Sequence, residues 1–268
     1  MRRILMSCIT LMAAAVFAAP AKAPLPVPEQ WKGAKVGVLG DSITDKHQGH
    51  RIYWQFLVDW LGWDAKVYGV GGHQWNGIVW QSDKMIQEMG DEVDAIFIFI
   101  GTNDYASGIP LGRWYDETEG EVNWWGKTVK MKKRTFNKEP GTVRGRINIA
   151  LEKLKKRYPD SQIVLMTPIH RANFVAGKTN VQPPECWPNV IGLHIEDYVN
   201  CVKEAAAIWS CPVIDLYSDS GLIPCTGEYA KYFRHPTLDG LHPNGLGHER
   251  LAKTIYYRLH SMPATFRR

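Results

Sequence analysis

Residues 94–104 read Asp94-Ala95-Ile96-Phe97-Ile98-Phe99-Ile100-Gly101-Thr102-Asn103-Asp104. An apolar run of this length, dominated by isoleucine and phenylalanine, is too short for a typical helix. It fits a strand buried on both faces, and the Gly-Thr-Asn-Asp that follows is turn chemistry. The same pattern recurs along the chain. Lys35–Leu39 runs into Gly40-Asp41-Ser42, Ala65–Tyr68 into Gly69-Val70-Gly71-Gly72, and Gln162–Thr167 into Pro168, while Pro212–Leu216 is a further short apolar run. Between these runs lie segments with helical spacing: Ile52–Leu61, Asn76–Met89, Thr142–Arg157, Ile191–Trp209 and the closing Asn244–Ser261. Strands alternating with helices specify an α/β fold with a parallel sheet covered on both faces. No internal repeat interrupts it, so residues 34–268 are read as one domain.

One stretch, about 105–141, breaks the rhythm. It lacks helical periodicity, and Glu121–Trp124 and Thr128–Lys132 read as hairpin strands around Trp125-Gly126-Lys127. Long irregular connections in compact domains are commonly functional, so an excursion near a ligand is expected. Lys127–Lys138 holds six basic residues in twelve and no acid. A lysine-guarded strand edge and contact with an anionic substrate are both open readings.

The amino terminus follows different rules. Met1-Arg2-Arg3 precedes an apolar run, Ile4–Ala19, closed by small residues, the pattern of a secretory signal peptide with cleavage near Ala21. Residues 22–33, rich in Pro and Ala at their start, are expected to be a linker. Nothing later approaches 18 uninterrupted apolar residues, so no integral membrane segment is expected in the mature chain. The formal charge of +5, from 32 Lys and Arg against 27 Asp and Glu, falls to +3 without Arg2 and Arg3. That is short of the basic stripe of a nucleic-acid binder. Export makes one or two disulfides among Cys186, Cys201, Cys211 and Cys225 an expectation, whereas the absence of a C-x-x-C spacing argues against zinc.

Open α/β sheets bind ligands beyond the carboxyl ends of their strands, where three turns carry Ser42, Gly72 and Asn103. A fourth group, Asp239-Gly240-Leu241-His242, lies just before the last helix. Acyl transfer needs a hydroxyl nucleophile, a base, an acceptor that orients the base, and fixed donors for the oxyanion. Ser42, His242 and Asp239 can supply the first three. The backbone N–H groups of Ser42 and Gly72 and the amide of Asn103 can supply the donors. A dinucleotide site is a poor alternative, because Gln74 stands where G-x-G-x-x-G needs its last glycine.

Gly40-Asp41-Ser42-Ile43, the Gly71-Gly72 turn, Gly101-Thr102-Asn103-Asp104 and Asp239-x-x-His242 together resemble the four blocks of the SGNH (GDSL-type) hydrolase superfamily, in order and across residues 36–250. The resemblance implies a flavodoxin-like three-layer α/β/α sandwich and serine esterase chemistry. Ser42 would then be the nucleophile, His242 the base and Asp239 its orienter, with Ser42, Gly72 and Asn103 forming the oxyanion hole. Gly69 departs from the pattern, since many members carry Asn there.

Other residues have two readings each. Asp41 is expected to accept hydrogen bonds within its turn and Asp215 to be structural. His47 and His50 mimic a metal pair but lack a third ligand, and no metal or organic cofactor is called for. His73, His170 and Arg171 follow strand ends and are candidates for substrate contact. Trp54, Trp60 and Trp63 read as core. Trp114, Trp124 and Trp125, in the irregular stretch, are the candidates for stacking on a sugar. The expected activity is that of an exported carboxylic ester hydrolase acting on a small-molecule or glycan ester, most simply an O-acetyl group. The alternatives are a lipid or short-chain ester hydrolase, and a catalytically dead carbohydrate-binding protein on the same scaffold.

Overall fold

The computed structural model describes residues 26–266, so the expected leader (1–21) and the start of the linker lie outside the described residues. In chain order the elements are β1 (Lys35–Gly40), α1 (Tyr53–Leu61), β2 (Asp64–Val67), α2 (Gly77–Met89), β3 (Ala95–Phe99), α3 (Thr102–Ala106), β4 (Tyr115–Trp124), β5 (Lys127–Phe136), α4 (Val143–Arg157), β6 (Gln162–Met166), β7 (Phe174–Val175), β8 (Val181–Gln182), α5 (Ile195–Ile208), β9 (Val213–Ile214), α6 (Leu216–Asp219), β10 (Phe233–His235), β11 (Asp239–Pro243) and α7 (Gly245–Ser261).

Five parallel strands form the central sheet in the order β2-β1-β3-β6-β9. Strand β3 is the middle strand, paired with β1 (Val38↔Phe97) and β6 (Phe97↔Val164). Its side chains alternate. Phe97 and Phe99 join Val36, Val38, Val164 and Met166 under α1 and α7. Ile96 and Ile98 join Ile163 and Leu165 under α2, α4 and α5. Two cores therefore flank one sheet, and each fully buried Ile or Phe contributes about 1.5–3 kcal/mol. Helix α1 buries Tyr53, Phe56, Leu57, Trp60 and Leu61 at helical spacing and stops at Gly62, which adopts φ +64°. Trp60 and Trp63 are buried as expected, and Trp54 packs half-buried against the same core.

Four features differ from the sequence reading. The expected linker ends in a tethered segment: Trp31 is fully buried, its indole N–H donates to Met262 O, and Trp63 Nε1 donates back to Trp31 O. The expected helix 191–209 begins only at Ile195, because Asn189 Oδ1 gathers the backbone N–H groups of Ile191 and Leu193 into a turn. The expected strand 212–216 shortens to two residues, since Asp215 turns away to cap α6. Finally, the four cysteines among the described residues are unbridged: Cys201 and Cys211 are buried thiols, and Cys186 and Cys225 are exposed. Buried thiols pack as small apolar groups, while Cys225 Sγ donates to Arg171 O.

The irregular stretch folds into a hairpin longer than expected. β4 and β5 pair over ten residues each and form a two-stranded sheet of their own. Its two-residue turn is Trp125-Gly126, both at positive φ (54° and 80°), the requirement of a type I′ turn. The basic run is answered across the ladder. Glu117 pairs with Arg134 and Lys132, Glu121 lies opposite Lys130, and Lys138 reaches Glu152 on α4. Three of the six basic residues, Lys132, Arg134 and Lys138, are thus paired locally.

A second small antiparallel sheet has the order β10-β11-β7-β8. Strand β11 is Asp239–Pro243, so the Asp-x-x-His block is a strand and not a loop. Asn244 follows it and caps α7, its Oδ1 accepting from the N–H groups of Leu246 and Gly247.

Candidate active site

The turn bearing Ser42 begins where β1 ends. Gly40 has no room for a side chain, because a Cβ there would strike Thr44 and the Phe99 carbonyl. Asp41, 2% exposed, accepts the N–H of Ile43 on its carboxylate and those of Thr44 and Asp45 on its carbonyl. It acts as the turn acceptor, and burial pushes its carboxyl up to about 7. Ser42 is held from outside as well, with Gln48 Nε2 donating to its carbonyl at 2.6 Å.

Strand β11 brings the block from two hundred residues downstream against this turn. His242 Nε2 lies 2.9 Å from Ser42 Oγ. On its far side His242 Nδ1 lies 2.9 and 3.0 Å from the two Asp239 carboxylate oxygens, one of which also accepts the His242 backbone N–H. The side chains of His242 and Asp239 are only 9% and 16% exposed. Burial would raise the Asp239 carboxyl, but the hydrogen bonds and charge of His242 outweigh it and hold the group below its ordinary value. Phe174 on β7 closes one side, its ring edge-on to His242 at 5.0 Å.

The other two turns border Ser42. Gly71 adjoins it, since a Cβ there would lie 3.9 Å from that of Ser42. Gly72 adopts φ +78°, a conformation that favours glycine. Asn103 Nδ2 donates to His73 O at 2.9 Å, which ties the third turn to the second and leaves one amide hydrogen for a ligand. Among the described residues no acceptor takes the backbone N–H of Ser42 or Gly72. A hydroxyl, a base oriented by a carboxylate, and uncommitted donors are together able to carry acyl transfer. Gly69 is explained by its neighbour: a Cβ there would lie 2.7 Å from Thr44 Cβ and 3.0 Å from Asp45 N. Thr44 fills the space that a larger residue would need.

The remaining candidates divide. His73 lines a cleft beside Gly72. Arg171 is not at the rim but fully buried. It donates to Thr102 Oγ1 and Gln182 Oε1 and stands over the Tyr105 ring. Its guanidinium is thus held inside the protein and not before a substrate. His170 is engaged by Glu185 at 2.7 Å and stacked on Tyr217. Trp114 serves the hairpin root, its indole donating to Glu204 with Arg144 over its face. Trp124 and Trp125 are exposed at the hairpin tip, and none of their hydrogen bonds or ring contacts among the described residues involves the Ser42 cluster. His47 pairs with Asp45, while His50 packs on His248, so the two do not converge.

Two contributors escaped the sequence reading. Gln81 on α2 is fully buried, clamps both backbone groups of Gly40, and donates to His73 Nδ1. It thereby couples the turn bearing Ser42 to the turn bearing Gly72. A glutamine on the buried stripe Ile78, Gln81, Met85 was the available signal. Trp80, one residue earlier, is half-exposed and lines the cleft beside His73.

The chain is similar to known proteins in sequence and in fold. A sequence model of the GDSL-like Lipase/Acylhydrolase family matches residues 38–250. No curated protein sequence matches the chain. Among solved structures, a Lactobacillus plantarum protein is 22% identical over 86% of this chain and 98% of its own, with a TM-score of 0.67. A possible lipase from Chitinophaga pinensis is 23% identical over 85% and 98%, with a TM-score of 0.61. An acetyl xylan esterase from Geobacillus stearothermophilus is 16% identical over 85% and 95%, with a TM-score of 0.52. At these identities the likeness is one of fold.

Proposed function

The chain belongs to the GDSL-like lipase/acylhydrolase family, and from that premise we propose that it is an exported serine esterase removing O-acetyl groups from glycans. The observation that carries the reading is the hydrogen-bonded relay Asp239–His242–Ser42, with 2.9 Å between His242 Nε2 and Ser42 Oγ. Ser42 Oγ attacks the acyl carbonyl while His242 Nε2 takes its proton. The oxyanion is received by the N–H groups of Ser42 and Gly72 and the amide of Asn103. As the C–O bond to the sugar breaks, His242 returns the proton to the departing sugar oxygen, which leaves as a hydroxyl, and the acyl group remains on Ser42. Water, deprotonated by His242, then releases acetate. The intact relay weighs against a purely sugar-binding role. A polysaccharide acetyl ester is a substrate for which the fold has a precedent in the acetyl xylan esterase neighbour.

The test is an acetate-release screen over acetylated plant and animal glycans, with Ser42→Ala as control. Acetate release by the wild type and a loss of orders of magnitude in Ser42→Ala are expected. A preference for C8 and longer acyl chains in a nitrophenyl ester series would overturn the acetylesterase reading in favour of lipid hydrolysis.

A further inference from the structure

A cleft of about 440 Å³, within the size range of small-molecule sites, begins at the oxyanion donor Gly72. It is bounded by His73, Gln74, Asn76, Gly77 and Trp80. No aliphatic side chain lines it, so a fatty acyl chain would find no aliphatic wall to pack against. Its one broad apolar surface is the Trp80 indole, which is 50% exposed. The indole is not free to swing at random: His73 meets it edge-on at 5.7 Å, and Lys84 Nζ lies 5.7 Å from the ring centre.

The His73 ring is fixed as well. Gln81 Oε1 accepts from Gly40 N and Gln81 Nε2 donates to Gly40 O, which settles the orientation of the amide. Its second hydrogen is directed to His73 Nδ1 at 3.0 Å. His73 Nδ1 is therefore an acceptor, and the proton of the neutral ring resides on Nε2. Burial favours that neutral form by lowering the His73 pKa. Gly77 permits the arrangement, because a Cβ there would meet the His73 ring at 2.5 Å. Among the described residues nothing accepts from His73 Nε2.

We propose that this cleft is the subsite for the sugar ring that bears the acetyl ester, with Trp80 as its stacking platform and His73 Nε2–H as a donor to a ring hydroxyl. The assignment rests on the glycan esterase reading above. Pyranose C–H groups carry slight positive charge and suit the electron-rich face of an indole, while the polar rim can satisfy the hydroxyls. With the ring there, the ester carbonyl begins at Gly72, the first residue of the cleft and a donor to the oxyanion.

The experiment compares wild type, Trp80→Phe and Trp80→Ala on fully acetylated xylobiose and on ethyl acetate, which has no ring to stack. The ratio of kcat/KM for the sugar ester to that for ethyl acetate should fall at least tenfold in Trp80→Ala, mainly through KM, with Trp80→Phe intermediate. Equal losses on both esters, or no loss on the sugar ester, would overturn the subsite. Calorimetric binding of unacetylated xylotetraose to Ser42→Ala and to Ser42→Ala/Trp80→Ala separates this proposal from the one it rests on. Binding lost with Trp80, but without hydrolysis by the wild type, would overturn the acetylesterase reading and support the subsite. Binding indifferent to Trp80, or no binding by Ser42→Ala, would overturn the subsite whatever the activity.

Discussion

Asp41 stands next to the nucleophile and carries no proton in the proposed reaction, yet its burial gives it a measurable signature. Its carboxyl is pushed up to about 7, first by desolvation and further by Asp104, against the opposing pull of Ile43 N–H and Arg171. An unfolded aspartate titrates near ~3.9. Between roughly pH 4 and 7 the folded chain therefore holds a proton that the unfolded chain has released, and stability from this group declines as pH rises through that window. Asp41→Asn keeps an oxygen to accept from Ile43 N–H but has nothing to ionise. It should be more stable than wild type at pH 8, on the order of 2 kcal/mol, with the difference closing toward pH 4. Paired thermal unfolding across that range measures it, and a gap that widens on acidification would contradict the assignment. The sequence identified Asp41 correctly as a turn acceptor but gave no sign of its burial. Arg171 illustrates the same limit: its place after a strand end was legible, whereas the burial of its guanidinium against Thr102 and the Tyr105 ring depends on packing.

At the scale of elements, strands and helices with strong periodicity were legible, and those set by a single polar side chain were not. Strand β3 and helices α1, α2, α4 and α7 fall close to their expected places because their burial patterns repeat. The start of α5 and the brevity of β9 depend on Asn189 and Asp215, whose hydrogen bonds no periodicity announces. The hairpin β4–β5 was half legible. Its turn was read at Trp125-Gly126-Lys127, of which Lys127 already belongs to β5, and strand length was masked by a charged, largely exposed ladder that lacks apolar alternation. That turn also holds a bulky residue at φ 54°, where tryptophan is disfavoured and Asn-Gly is preferred. Trp125 is 92% exposed, so little packing offsets the strain. Trp125→Asn should therefore slow amide exchange along Lys127–Phe136 and stabilise the hairpin by about 0.5–1 kcal/mol. Faster exchange in the variant would indicate that the indole supports the turn by a contact that outweighs its backbone strain.

Across the whole molecule, the site lies on a seam. Ser42, Gly72 and Asn103 ride on the central parallel sheet, while Asp239 and His242 ride on the small antiparallel sheet beside it. Sequence patterning described the first sheet and missed the second, whose strands of two to five residues are too short to show a period. The four motif blocks were recognisable all the same, because they report chemistry at turns and strand ends whatever sheet carries them. A seam of this kind separates catalysis from global stability. Strand β11 meets the segment before β7 at Gly240, whose N–H and carbonyl bond to Asn173 O and Ala172 N. A Cβ on Gly240 would overlap that of Ala172, and neither backbone can yield without moving the strand that carries His242 two residues later. Gly240→Ala should therefore lower kcat at least tenfold by lengthening the 2.9 Å contact between His242 Nε2 and Ser42 Oγ, since even a displacement of about 1 Å can cost 10²-fold. The central sheet, with its two cores intact, should keep most of its thermal stability. Ala172→Gly removes the opposing Cβ, so the Gly240→Ala/Ala172→Gly pair should recover most of the lost kcat. Steady-state kinetics and melting curves on the three variants decide the matter. Loss of activity in proportion to loss of folded protein, or a pair no more active than Gly240→Ala alone, would mean that the small sheet does not set the position of the base.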